Sequence, residues 1–139
     1  MHLVVDASVA VKWLMPEQHS AAAKALLDSR NALFAPELLW AEVASALVNR
    51  HLAGEFSLTE IQAGFHDLAT YQVTIEPMRA LAWRAIAMAS ATRRGVYDFF
   101  YLALAWHRSI RLVTADRKFY RRIADGPYAD YISWIEDTA

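Results

Sequence analysis

Residues 3–8 read Leu3-Val4-Val5-Asp6-Ala7-Ser8, a short apolar, β-branched run that ends on an acid. Such a run predicts a strand over 3–5 with no solvated face. Residues 8–14 then predict a helix that stops before Pro16. The same alternation continues along the chain. Residues 20–27 predict an alanine-rich helix and 33–35 a strand closed by Pro36. Residues 37–52 predict a helix with Leu38, Leu39, Val43, Leu47 and Val48 as its apolar positions, stopped by Gly54. Ser57-Leu58-Thr59-Glu60 has the form of a capping box, in which the serine oxygen covers a free N–H and the glutamate reaches back. It opens a helix that should run to about residue 71. Residues 73–75 predict a strand, and Pro77 suits the first turn of a helix over 77–92. Gly95 breaks the chain before the most apolar helix, 97–107, and 112–114 is again a strand. A short helix around Phe119 and an edge strand over 131–134 complete the pattern.

Strands of three or four residues alternating with helices imply right-handed crossovers. The expected fold is α/β, a short central parallel sheet of about four or five strands flanked by helices on both faces. The 139 residues suit one domain over 1–139, with no linker, repeat or low-complexity segment. Ligands of such sheets bind beyond the carboxyl ends of the strands.

Composition narrows the chemistry. The chain has no cysteine, so disulfides, thiolate zinc sites, iron–sulfur clusters and cysteine nucleophiles are excluded. With 56% hydrophobic and 12% aromatic residues it does not read as disordered. The longest apolar run, 99–106, is too short to span a membrane. Asp6 interrupts the N-terminal apolar run too early for a signal peptide. The expected location is the cytoplasm.

The net charge of −1 conceals an uneven distribution. Residues 1–78 carry 4 Lys/Arg against 9 Asp/Glu, and residues 123–139 carry four acids and no base. Residues 79–122 carry 10 Lys/Arg, with Asp98 and Asp116 as their only acids. A segment of net +8 points to a polyanionic partner, although solvated helix faces would also produce it.

Four acids lie in apolar surroundings. Asp6 and Asp116 each follow an apolar strand, Glu42 interrupts the apolar face of its helix, and Asp98 opens the most apolar helix. Each has an ordinary explanation: Asp6 and Asp98 as helix caps, Asp116 as a turn residue, Glu42 as the partner of Arg50 or another base at the core edge. Together they suggest more. Two strand ends and two neighbouring helices can converge on one rim of a sheet, where four carboxylates repel unless cations lie among them. Hard cations with oxygen ligands, Mg²⁺ or Mn²⁺, fit such a set. His2, His19, His51, His66 and His107 lack metal-ligand spacing.

Four segments, taken in order, carry a resemblance: Val4-Val5-Asp6-Ala7-Ser8, Pro36-Glu37-Leu38-Leu39-Trp40-Ala41-Glu42-Val43, Tyr97-Asp98-Phe99-Phe100-Tyr101-Leu102-Ala103-Leu104-Ala105, and Leu112-Val113-Thr114-Ala115-Asp116-Arg117-Lys118-Phe119. They resemble the four acidic motifs of PIN-domain ribonucleases, most closely the VapC-type toxins of toxin–antitoxin pairs. The likeness covers essentially the whole chain. It implies a metal-dependent endoribonuclease in which Asp6, Glu42, Asp98 and Asp116 hold one or two Mg²⁺ or Mn²⁺ ions. It also implies that Ser8 and Thr114 support the site, and that products carry 5′-phosphate and 3′-hydroxyl ends. A homodimer and a cognate antitoxin protein are the implied partners. Arg93, Arg94, Arg117, Lys118 and Arg121 flank the third and fourth motifs and are the candidate RNA contacts. Tyr97, Phe119 and Tyr120 are candidates for stacking on a base.

Trp13, Leu14 and Met15 lie in a helix too short to bury them all, whereas Trp40, Trp83 and Trp106 are expected in the core. Two other functions suit the architecture. A receiver or phosphatase-like phosphoryl-transfer domain would carry paired acids or Asp-x-Asp at the first strand, where this chain has Val5-Asp6-Ala7-Ser8. A catalytically silent binding module would have no need of all four acids.

Overall fold

The computed structural model describes residues 1–93 and 95–138. Its strands are β1 (His2–Val5), β2 (Ala32–Pro36), β3 (Val73–Glu76), β4 (Arg111–Thr114) and β5 (Ile132–Trp134). They form one sheet in the order β3-β2-β1-β4-β5, with every pairing parallel. The helices are α1 (Ala7–Leu14), α2 (Ser20–Ala25), α3 (Leu38–Leu52), α4 (Leu58–Leu68), α5 (Ala82–Thr92), α6 (Tyr97–Arg108) and α7 (Arg117–Ala124).

The central strands β1 and β4 are, save for Thr114, apolar beyond their first residue because both faces of the sheet are covered there. In β1, Leu3, Val4 and Val5 are buried, as are Leu112, Val113 and Thr114 in β4. The chain first steps outward from β1 to β2 and β3 through α1–α4, which pack among themselves. It then returns through α5 and α6 to β4 on the other side of β1, and proceeds through α7 to β5. With right-handed crossovers, this reversal puts the two sets of helices on opposite faces. The strand order therefore switches direction between β1 and β4, and the crevice beyond their carboxyl ends is where such sheets bind ligands. α6 packs against β1, β2 and β4, and that central position accounts for its nearly all-round hydrophobicity.

The Ser57–Glu60 capping box forms as expected, Glu60 N–H donating to Ser57 Oγ and Ser57 N–H to the Glu60 carboxylate, each at 3.1 Å. Other expectations are corrected. α2 stops at Ala25 and α4 at Leu68. Pro77 does not start a helix: a 3-10 turn at Arg79–Leu81 intervenes, and α5 begins at Ala82. Trp83 is 87% exposed, because α5 turns Ala85, Met88 and Ala89 inward and leaves Trp83 and Ile86 outside. Trp40 and Trp106 are half-buried, the first edge-on to Phe65 and the second beneath the Arg84 guanidinium. Trp13 and Met15 are buried after all. The Trp13 indole N–H donates to the Ala23 carbonyl at 2.8 Å, and Met15 reaches into the space left by Gly64, where a Cβ would lie 2.7 Å from its Cε. Only Leu14 of that trio stays partly open.

Candidate active site at the switch between β1 and β4

The register pairs Val5 with Val113, so the next residues, Asp6 and Thr114, lie side by side at the switch point. Thr114 Oγ1 donates to Asp6 Oδ2 at 2.5 Å, and Ser8 Oγ donates to Asp6 Oδ1 at 2.5 Å. The Val9 amide adds a third bond to Oδ1 at 3.2 Å, which makes Asp6 the N-cap of α1 as well. The same hydroxyls accept from the next loop, Ser8 Oγ from the Ala115 amide at 2.9 Å and Thr114 Oγ1 from the Asp116 amide at 3.1 Å. Asp116 in turn caps α7, its Oδ1 accepting from the Phe119 amide at 3.1 Å. The cap expected of Asp6 thus forms, Asp116 caps a helix where a turn residue is expected, and the hydroxyls of Ser8 and Thr114 tie the two segments into one small network.

Asp98 is not a helix cap. Val96 holds that position, and Asp98 stands in the first turn of α6. Glu42 is not the partner of Arg50, whose guanidinium pairs with Glu17 at 2.5 Å and with Glu55. It lies instead in the field of Asp98 and beside the Tyr101 hydroxyl. Glu42, Gly95, Tyr97 and Asp98 line an open pocket of about 330 Å³. A larger cavity, about 600 Å³, lies between Met1, the end of α2 and Ile135, at the amino end of β1 and away from these acids.

Electrostatics link three of the acids. Burial pushes the Asp6 carboxyl up to about 7; the bonds from Ser8, Thr114 and Val9 oppose the rise, and the charge of Asp98 adds to it. Burial also raises Glu42, against the Tyr101 hydroxyl and reinforced by Asp98. Asp6 and Glu42 thus both lie in the field of Asp98 at the carboxyl end of β1, and the Asp116 backbone amide is bonded to Thr114 beside them. Among the described residues no group of three or more His, Asp or Glu side chains is placed to hold a metal ion as it stands. A hard divalent cation does not need so many, since Mg²⁺ keeps several waters and takes one or two protein carboxylates. The oxygen donors of Glu42 and Asp98 at the open pocket are of the type such an ion takes.

Tyr101 is the site residue that sequence reading missed. Within Phe99-Phe100-Tyr101-Leu102 it reads as one more core aromatic, and it is indeed 1% exposed. Yet its hydroxyl faces Glu42, with Asp6 and Asp98 also acting on it. The signal that could have found it is its spacing, one turn after Asp98 on the same helix face.

The basic residues are distributed less evenly than expected. α7 buries Phe119 and Ile123 and exposes Arg117, Lys118, Arg121 and Arg122. Arg117 lies over the Trp134 ring, 3.8 Å from its centroid. Arg93 is exposed, in a left-handed conformation (φ 56°) at the end of α5. Arg122 bonds the Thr92 carbonyl at 3.1 Å, which holds α7 against that end of α5. Arg94 lies outside the described residues. Phe119 is unavailable for base stacking, since it is buried edge-on against Phe99 with ring centroids 5.5 Å apart. Tyr120 is half-buried against Trp134, whereas Tyr97 stands 62% exposed at the pocket.

Compared with known families, residues 3–124 match the PIN domain. No curated protein matches the sequence. Among solved structures, the chain is similar to Mycobacterium tuberculosis VapC20, a sarcin–ricin loop cleaving toxin, at 16% identity and a TM-score of 0.66 over 86% of this chain and 94% of that one. It is also similar to a chain of a toxin–antitoxin complex from Klebsiella pneumoniae, at 17% identity and a TM-score of 0.65 over 94% and 95%. A third likeness is to VapBC2 from Rickettsia felis bound to a promoter DNA fragment, at 14% identity and a TM-score of 0.67 over 96% and 98%. At these identities the likeness is one of fold.

Proposed function

Because this chain belongs to the PIN domain family, we propose that it is a metal-dependent endoribonuclease and the toxin of a toxin–antitoxin pair. The observation that carries the reading is the shared field of Asp6, Glu42 and Asp98 at the β1–β4 switch point, beside a pocket open to solvent. Three acids acting on one another, one of them deeply buried, cost stability that a merely structural site would not retain.

Asp6 and Asp98 are the principal ligands for Mg²⁺ or Mn²⁺, one ion or two, with Glu42 and Asp116 completing the site directly or through water. When bound, the cation supplies a water of lowered pKa as nucleophile and neutralises charge on the phosphate. The remaining work falls to the chain. Ser8 and Thr114 hold both Asp6 oxygens in place through their short bonds. One of Glu42 and Asp116 accepts the proton of the attacking water. Lys118 and Arg121, with Arg93, Arg94 and Arg117, contact RNA phosphates, and the exposed Tyr97 ring offers a stacking surface at the pocket.

A cognate antitoxin and a second copy of the chain are the proposed protein partners. Two exposed apolar groups suit such contacts: Trp83 with Ile86 on α5, and Val48 with Leu52 and Leu58 at the α3–α4 corner. No helix among the described residues is long and apolar enough to cross a membrane. We place the protein in the cytoplasm, where its RNA substrate is found.

The test is direct. Purified protein is incubated with labelled single-stranded RNA and Mg²⁺ or Mn²⁺, beside EDTA and the variants Asp6→Asn and Asp98→Asn. Metal-dependent cutting that both variants lose is expected. Cutting that survives in them would place the activity elsewhere, and RNA binding without any cleavage would favour a silent binding module.

A further inference from the structure

Gly95 and Tyr97 line the open pocket together with Glu42 and Asp98, and the fold itself calls for neither. α5 ends in a left-handed residue, a conformation that favours glycine, but Arg93 takes that place with φ 56°. Among the described glycines only Gly54 has a positive φ, so the backbone at 95 suits any residue. Packing does not require glycine there either, since a Cβ on Gly95 would meet nothing within 4 Å. A side chain at 95 would stand in open space at the pocket. Tyr97 is the converse case. Its ring is 62% exposed, on a helix that turns Phe99, Tyr101, Leu102 and Leu104 into the core. The chain thus omits a side chain where the pocket opens and places an aromatic ring on its wall.

An occupant of this space needs a flat face for the ring and no negative charge of its own, because Glu42 and Asp98 form the remaining wall. A nucleobase meets both conditions. At about 330 Å³ the pocket lies at the small end of ligand sites, roughly 300–1,000 Å³. The strand that carries the base also brings phosphates, and cations stand close to the slot. Arg93 is exposed two residues before Gly95, and the bond from Arg122 to the Thr92 carbonyl holds the basic face of α7 against the same segment. We propose that Gly95 and Tyr97 form a nucleobase slot: the Tyr97 ring stacks on the base of the nucleotide next to the scissile phosphate, and the missing side chain of Gly95 admits it. This role presupposes the nuclease reading given above and adds to it what sets the strand's register. A base seated on Tyr97 determines which phosphodiester reaches the acids. Every base has a π face, so the slot positions the strand without demanding one particular base.

The test uses the full chain and a short single-stranded RNA in which 2-aminopurine, and separately an abasic nucleotide, is moved through each position. Binding is followed in EDTA, and KM and kcat for cutting in Mg²⁺. Tyr97→Ala is expected to weaken binding roughly 5- to 150-fold, the effect of losing one stacked base. It should also abolish the quenching of 2-aminopurine at one position and raise KM more than it lowers kcat, whereas Tyr97→Phe keeps all three. Gly95→Val is expected to unfold in urea no earlier than the parent, yet to weaken RNA binding as Tyr97→Ala does. An abasic nucleotide at the quenched position should weaken the parent to the same degree and cause no further loss in Tyr97→Ala. Parent-like binding and KM in Tyr97→Ala and Gly95→Val would overturn the slot and leave the nuclease reading intact, as would abasic and Tyr97→Ala losses that simply multiply. Loss of self-association in Tyr97→Ala with RNA binding unchanged would give the ring to a contact between copies and overturn the slot as well. A parent that binds RNA but cuts none refutes the nuclease reading, and the binding comparison alone then upholds or overturns the slot. A parent that neither binds nor cuts RNA refutes both.

Discussion

Thr114 Oγ1 and Asp6 Oδ2 meet at 2.5 Å across the boundary between β4 and β1, though the two residues are 108 positions apart in sequence. The contact follows from register alone: Val5 pairs with Val113, and one step further brings a hydroxyl beside a carboxylate. The Asp116 amide donates to the same hydroxyl, so a single threonine ties together both strand-end aspartates of the site. Thr114 is fully buried, and its polarity has no other use there.

Thr114→Val keeps the shape and removes the donor. At pH 8 it is expected to destabilise the fold by about 1–3 kcal/mol, the usual cost of leaving buried partners unsatisfied. At pH 5 the loss should be smaller, because a protonated Asp6 no longer presents a charge for the hydroxyl to stabilise. Urea unfolding at the two pH values measures the difference. An equal loss at both would mean that the hydroxyl acts through Asp116 and not Asp6.

The raised carboxyl of Asp6 makes metal-free stability depend on pH with a definite sign. In the unfolded chain Asp6 loses its proton near its ordinary 3.8, whereas in the folded protein it keeps the proton up to about 7. Between these values the native state binds more protons, so stability falls as pH rises from about 4 to 7. At 1.36 kcal/mol per unit the total is of the order of 4 kcal/mol. The lowered carboxyl of the exposed Asp28, at about 2, acts only below this window. Unfolding in EDTA across pH 4–8 should show the decline, Asp6→Asn should flatten most of it, and Mn²⁺ should restore stability at pH 8. A flat profile for the parent would show that Asp6 is already ionised near pH 4.

The fold was legible because the decisive signals are local. An apolar run ending on Asp6 or Thr114 needs no knowledge of its neighbours to read as a buried strand, and the Ser57–Glu60 cap is written in four residues. The four acids stood out for a related reason, since a carboxylate in an apolar frame is costly wherever the frame lies. What remained hidden depends on rotation about a helix axis. Tryptophan's apolar bulk places Trp83 in the core, but α5 packs through Ala85, Met88 and Ala89 and turns Trp83 outward. Its place among basic residues makes Phe119 a candidate for stacking on RNA, yet its ring is buried against Phe99. Tyr101 escaped notice because a single hydroxyl barely alters an apolar pattern.

The basic face of α7 gives a salt-dependent prediction. Lys118 and Arg121 are exposed and are free of the aromatic contact that occupies Arg117. Lys118→Ala with Arg121→Ala is expected to weaken RNA binding across sequences and to reduce the steepness of its salt dependence by roughly 0.7 per lost phosphate contact on a single strand. Arg117→Ala should add a loss of packing on Trp134, of about 0.5–1 kcal/mol for an exposed cation–π contact. Titrations of fluorescent RNA at several salt concentrations separate the two effects. Unchanged affinity in the triple variant would remove α7 from the RNA path.

The exposed pair Trp83 and Ile86 tests the proposed second copy. These residues are 87% and 60% exposed, one turn apart on α5, and neither contributes to the core. Replacing both by serine should therefore leave unfolding stability within about ±0.5 kcal/mol once dissociation is taken into account. If the face joins two copies, the variant should sediment as a monomer at concentrations where the parent is a dimer, because a central tryptophan commonly carries more than 2 kcal/mol of an interface. A parent that is monomeric throughout would leave this face to the antitoxin, and titration with that protein would then show the affinity loss in its place. A variant that dimerises as tightly as the parent would move the dimer contact to another face, with the α3–α4 corner of Val48, Leu52 and Leu58 the next candidate.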